Sequence, residues 1–268
     1  MSERVKAGSN VRTIRIGSVS YLNAKPLIYG LDNFEDLQVA LDVPSRLLED
    51  LQGDLFDLAL LPVIDYQRMD NLCVVPAGGI GSEGETLTVR IFSKQPIEKI
   101  QSLACDTDSH TSVALARIIL AERFGVHPEF RPLDRAAPDD ARLLIGDKVI
   151  CEEPRGFPHQ LDLGAAWKKQ TGLPFVFAVW IARDGVDLRD VPQRLARAKR
   201  QGLAHVEEII GQYAVPRGWP ADVARRYLTH HLQFDIGERE LSGIRLFHEL
   251  AANHGLIPSP PRALKIYE

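Results

Sequence analysis

The run Phe56-Asp57-Leu58-Ala59-Leu60-Leu61-Pro62 constrains the fold more than any other stretch of the chain. A segment so short and so nearly continuous in apolar residues offers no polar face to water. Both of its faces must be covered, as happens in buried parallel strands. Its neighbours fit the same scheme. Residues 11–16 and 37–43 read as strands, and Pro44 opens a short helix carrying Leu47, Leu48 and Leu51. A helical piece with Ile64 and Met69 follows, and residues 72–75 are strand-like again. A chain that alternates β, α and β in this way implies a parallel sheet with right-handed crossovers.

The pattern changes at Pro76-Ala77-Gly78-Gly79-Ile80-Gly81, a cluster of breakers. Residues 86–93 then alternate as the longest strand candidate of this half, and 102–106 form another strand. A helix is predicted over 113–124, with Asp108 or Ser109 as its N-cap. Residues 129–133 and 143–145 read as short strands, 163–171 as a helix closed by Gly172, and 174–182 as a second long, aromatic-rich strand. Helices are predicted over 191–213, 220–231 and 238–252, and residues 1–10 are expected to be disordered. The two long strands are natural crossings between lobes. The expected architecture is therefore α/β and two-lobed, with 11–92 plus 184–268 as the first lobe and 93–183 inserted as the second. Each lobe is a mixed sheet flanked by helices, and the ligand cleft lies between them.

Two strand-to-helix turns stand out as binding candidates. Gly17-Ser18-Val19-Ser20-Tyr21-Leu22-Asn23-Ala24-Lys25-Pro26-Leu27 leads from the first strand into a helical segment expected over 26–31. The free N–H groups of such a turn favour a small anionic or polyoxygenated ligand, and Ser18, Ser20, Tyr21 and Asn23 add uncharged donors and acceptors. An ordinary βα turn capped by serine or asparagine is the alternative. Thr107-Asp108-Ser109-His110-Thr111-Ser112 is the second such start, with Ser109, Thr111 and Ser112 in place to bind a carboxylate or phosphate and His110 beside them.

Other motifs carry less. Gly79-Ile80-Gly81-Ser82-Glu83-Gly84 matches a dinucleotide fingerprint literally, but it leads into a strand where the fingerprint needs a helix. His230-His231 are adjacent and share no face, so no metal site is expected. No nucleophile elbow or catalytic cysteine signature is present, and most of Asp57, Asp65 and Asp147 read as structural. The net charge of −4 and the dispersed basic residues argue against a nucleic-acid partner. Three scattered cysteines argue against a disulfide scaffold. With no export signal in residues 1–10 and no run long enough to span a bilayer, a cytoplasmic location with no membrane partner is expected. No oligomeric state follows from these features.

The stretch 17–27 closely resembles the signature of the MqnA family, the chorismate dehydratases of the futalosine route to menaquinone. The likeness continues through Thr107-x-Ser109-x-Thr111-Ser112-Val113-Ala114-Leu115, Leu144-Ile145-Gly146-Asp147, Asp162-Leu163-Gly164 with Trp167, and residues 172–178. It spans about 12–255. The resemblance implies a type II periplasmic-binding-protein-like fold and elimination of water from chorismate without a cofactor. Chorismate is a dicarboxylate, which matches two hydroxyl-rich helix starts facing one cleft. The resemblance makes Asn23 and Thr88 the catalytic candidates, with the substrate's own enolpyruvyl carboxylate as base. Ser82 would join Thr88 around the leaving hydroxyl or ether oxygen, and Gly146 and Asp147 would join the substrate contacts. Asp147 is the alternative base. His110 stands where the family commonly has arginine, and Thr88 keeps a hydroxyl where the family has serine. A non-catalytic binding protein for a small carboxylate is the competing reading.

Overall fold

In the computed structural model, residues 12–106, 109–134, 139–152 and 154–268 are described. The expected disorder of 1–10 and the capping role of Asp108 lie outside them. The first sheet holds β1 (Ile14–Ser18), β2 (Leu37–Leu41), β3 (Leu58–Pro62) and β4 (Leu72–Ser82), with α1 (Pro44–Gln52) packed behind β3. The second holds β5 (Val89–Ser93), β6 (Ser102–Cys105), β7 (Glu129–Pro132), β8 (Ala141–Ile145) and β9 (His159–Asp162). Between these strands run α2 (His110–Phe124) and α3 (Asp147–Cys151), and α4 (Leu163–Thr171) follows β9. The chain then returns to the first sheet as β10 (Phe175–Arg183), and ends in α5 (Val191–Ala204), α6 (Val206–Ile209), α7 (Ala221–Arg226) and α8 (Glu238–Asn253).

Strand order is β2-β1-β3-β10-β4 in one sheet and β7-β6-β8-β5-β9 in the other. Each has four strands running in one direction and one antiparallel strand that arrives from the other lobe. β3, the apolar run, is buried along its whole length between β1 and β10. One continuous apolar core underlies both sheets, and Trp167, Phe175 and Phe247 meet edge to face where α4, β10 and α8 converge. Among the described residues no helix is long and apolar enough to cross a membrane.

Sheet membership moves both crossings earlier than expected. Val89–Ser93 belongs to the second sheet and Phe175–Arg183 to the first, so the chain changes lobe over 83–88 and again over 172–174. The long strands are thus the antiparallel members of the sheets they enter. The breaker cluster 76–81 lies inside β4, which absorbs it through two register shifts against β10. Gly79 is needed there because a Cβ would sit 2.5 Å from the carbonyl oxygen of Ala178. The literal glycine fingerprint is therefore strand and turn, with no helix start. Instead of a helix over 26–31, two 3-10 turns span Leu22–Ile28 and Leu31–Asn33, because Pro26 removes an interior N–H. The helix expected over 191–213 breaks at His205, whose N–H is shared between the carbonyls of Gln201 and Gly202. The helix expected over 220–231 ends as a π turn at Tyr227–His231.

Candidate active site

A cavity of about 710 Å3, its mouth included, lies between the sheets. Tyr21 and Asn23 reach it from the turn after β1, Thr86 and Thr88 from the first crossing, Ser109 and Ser112 from the start of α2, and Gly146 from the end of β8. The strand ends that feed it are carboxyl ends, where open α/β sheets leave free backbone groups. Phe177 joins them at a β-bulge, since the register of β10 against β4 shifts between Val176 and Ala178. Tyr227 and Leu232 close the cavity from the C-terminal region, anchored by pairing of Gln233 with Gly81. None of the described residues lining it has a side chain ionised at neutral pH.

The first crossing is held by one carboxylate. Asp162 accepts from the N–H groups of Thr86 and Leu87, both at 3.0 Å, and from Thr86 Oγ1 at 3.2 Å. It also caps α4 by accepting from Ala165 N. Leu87 adopts φ 67°, a conformation costly for a bulky L-residue, and the charge-assisted bonds on either side of it hold the strain. Gly164 lets α4 lie directly on this segment, because a Cβ there would meet Thr86 Cγ2 at 2.3 Å. The consequence is a fixed Thr88, whose carbonyl accepts from Gly146 N and whose Oγ1 donates to Tyr227 Oη at 2.9 Å.

Tyr227 is buried, and burial is the main reason its pKa rises to about 12, against hydrogen bonds from Thr88 and the Asn23 side chain that favour the charged form. The phenol is thus neutral across the physiological range. Asn23 Oδ1 is buried with no hydrogen-bond partner. An unpaired amide oxygen at this depth costs about 1–3 kcal/mol. An acceptor left in that state beside a cavity is poised for a ligand.

The structure brings Tyr21, Asn23, Thr88, Ser109, Ser112 and Gly146 to one cavity and leaves the other candidates off its wall. Ser18 is buried with its hydroxyl unpaired, and Ser20 points to solvent. The Ser82 hydroxyl donates to the carbonyl of Gly84. Thr111 turns to the first lobe, where its Oγ1 accepts from Ile64 N at 3.5 Å. His110 does the same: its Nδ1 lies 3.2 Å from Asp65 Oδ1 and 2.9 Å from Arg68 Nη1. It makes an interlobe contact, and the helical turn between Ser109 and Ser112 carries it away from the cavity. Asp147 accepts from Trp219 Nε1 at 2.8 Å, and Asp57 is enclosed by Arg12, Arg15 and Arg183. These aspartates are structural in their contacts. Sequence reading missed Thr86, Phe177, Tyr227 and Leu232. Only Thr86, next to Thr88 in a hydroxyl-rich crossing, carried a local signal.

A family model described as menaquinone biosynthesis matches residues 14–253. The chain belongs to that family. Among relatives of this menaquinone biosynthesis protein, a chorismate dehydratase from Thermus thermophilus is 28% identical over 89% of this chain and 95% of its own length. A chorismate dehydratase from Campylobacter jejuni is 26% identical, covering 86% and 94%. A 1,4-dihydroxy-6-naphtoate synthase from Thermus thermophilus is 26% identical, covering 78% and 81%. The fold also matches the periplasmic aliphatic sulphonate binding protein of Escherichia coli, with TM-score 0.66 at 16% identity over 93% of this chain and 95% of that one. The two-lobed periplasmic-binding-protein-like architecture expected from the sequence is the architecture found.

Proposed function

We propose that this member of the menaquinone biosynthesis family is a chorismate dehydratase, converting chorismate to 3-[(1-carboxyvinyl)oxy]benzoate and water. The observation that carries the reading is a cavity rich in hydroxyl and amide groups but empty, among its described lining residues, of any carboxylate, imidazole or amine. Such a wall orients a substrate and stabilises charge, yet offers no strong base. Chorismate brings its own. In this reaction the enolpyruvyl carboxylate takes the proton from ring C3, and the C–H electron pair becomes a ring double bond. The C4–O bond breaks with its pair going to oxygen, and that oxygen takes the carboxyl proton to leave as water. The ring becomes aromatic, so the driving force is large, and orientation is what the protein must supply.

Asn23 is assigned to hold the enolpyruvyl carboxylate through one amide N–H, and Ser109 and Ser112 at the start of α2 to hold the ring carboxylate. The N-terminus of a fifteen-residue helix favours negative charge there. Incubating the protein with chorismate and following product mass and aromatic absorbance tests the assignment. Turnover with loss of one water is expected. Binding of chorismate without turnover would leave the solute-binding reading that the fold also fits.

A further inference from the structure

The scheme above leaves the Tyr227 hydroxyl, on the wall of the cavity, without a task. Its oxygen accepts from Thr88 Oγ1 at 2.9 Å, and the Asn23 side chain lines the same cavity. With Thr88 donating to that oxygen, the phenol's own O–H points elsewhere. Tyr227 lines the cavity, and that proton has no protein acceptor among the described residues. Beside it stands Asn23 Oδ1, buried and unpartnered. The wall therefore presents one desolvated donor and one desolvated acceptor side by side. A carboxylate suits this pair poorly, having no proton for Asn23 Oδ1. An alcohol suits it well, since its oxygen accepts through a lone pair and donates through its own hydrogen.

Resting on the dehydratase reading, we propose that Tyr227 is a catalytic residue that donates a hydrogen bond to the ring hydroxyl expelled as water, while Asn23 Oδ1 accepts that hydroxyl's proton. As the C4–O bond breaks, negative charge gathers on the departing oxygen, and a fixed donor there stabilises the transition state more than the ground state. The pKa of about 12 keeps the phenol protonated, so Tyr227 orients and stabilises without giving up its proton. The oxygen is neutralised by the carboxyl proton, and the balance of the reaction is unchanged.

The test is Tyr227→Phe in the full chain, read by steady-state kinetics with chorismate and by calorimetric affinity for the purified product, which lacks the ring hydroxyl. Expected are a fall in kcat of about 10²-fold, a chorismate KM within about threefold, and product affinity within about twofold of the parent. A kcat within twofold of the parent overturns the proposal. So does a loss of product affinity as large as the loss of kcat, since that marks a merely structural tyrosine. Should circular dichroism show that Tyr227→Phe does not fold, Thr88→Val decides by removing the bond that orients the phenol. Its kcat should fall about tenfold with product affinity kept, and an unchanged kcat overturns the proposal. Turnover by the parent protein separates the two levels. A parent that dehydrates chorismate while Tyr227→Phe is unimpaired sinks only the role of Tyr227, and a parent that does not turn over sinks the dehydratase reading and this inference together.

Discussion

The turn after β1 and the turn after β6 start from similar ingredients and end differently. Both leave a parallel strand at its carboxyl end, and both are rich in hydroxyl and amide side chains. The second is satisfied at its described residues, within the turn and across to the first lobe. Ser109 Oγ accepts from Ser112 N and donates to Ser112 Oγ, His110 pairs with Asp65, and Thr111 takes the N–H of Ile64. The first is not. Its 3-10 turn has no side-chain cap, and Ser18 Oγ and Asn23 Oδ1 remain buried without partners. A turn whose hydrogen bonds are taken up leaves little for a ligand to complete, whereas one that leaves buried acceptors open is held ready for a ligand. On the proposed function, the difference assigns the catalytic burden to the first lobe's turn and the binding burden to the second.

Asn23→Ala should break the comparison most visibly if it is wrong. A loss of about 10³-fold in kcat is expected, with a melting temperature within a few degrees of the parent; near-normal turnover would remove Asn23 from the chemistry. The next largest effect concerns the support under the first lobe. His248 on α8 is buried, bonded through Nε2 to the carbonyl of Val63 and through Nδ1 to Gln67 Nε2. Burial drives its pKa down from 6.5 to about 4. The folded protein thus holds this ring neutral while the unfolded chain protonates it near pH 6.5. Its contribution is complete above pH 6.5 and is lost as pH falls towards 4, about 3 kcal/mol in all. Urea midpoints at pH 7 and pH 4.5 should differ by less in His248→Gln than in the parent, and equal differences would contradict this.

Asp162→Ala probes the crossing that joins the turns. It removes an acceptor from Thr86, Leu87 and the first turn of α4, so a stability loss of about 2 kcal/mol is expected. Because Thr88 is then loosened, kcat should fall with it. Retained kcat in the destabilised variant would show that the strain at Leu87 serves folding alone. Ser109→Ala is the mildest change. Losing the cap should cost about 1 kcal/mol and raise the KM for chorismate several-fold while kcat changes little. A drop in kcat matching that of Asn23→Ala would erase the asymmetry between the turns.

Much of the fold was legible because it rests on local patterns. The apolar run at β3, the start of α2 at Ser109 and the stop of α4 at Gly172 are each set within a few residues. The crossings were placed late because a long alternating segment looks the same whether it joins two sheets or completes one. Strand β4 was read short because Pro76 and the glycines punctuate most chains, whereas here they accommodate bulges against β10. At the site, Asn23 and Ser109 stood in recognisable turns. His110 did not keep its expected place, since the Asp65 and Arg68 that capture it lie 45 and 42 residues away. The sequence placed helices in the C-terminal region without saying what they touch, and Trp219 and Tyr227 there bond to Asp147 and Thr88.

The opening apolar run and the two hydroxyl-rich turns were determined by the sequence alone, because strand burial and helix capping depend on neighbours within one or two turns of chain. Only the tertiary structure decided which of those hydroxyls face the cavity. Thr88 meets Tyr227 across 139 residues, and Asn23 Oδ1 is left buried without a partner. Side-chain direction at such a site is set by bulges, register and long-range packing, and no local pattern encodes them.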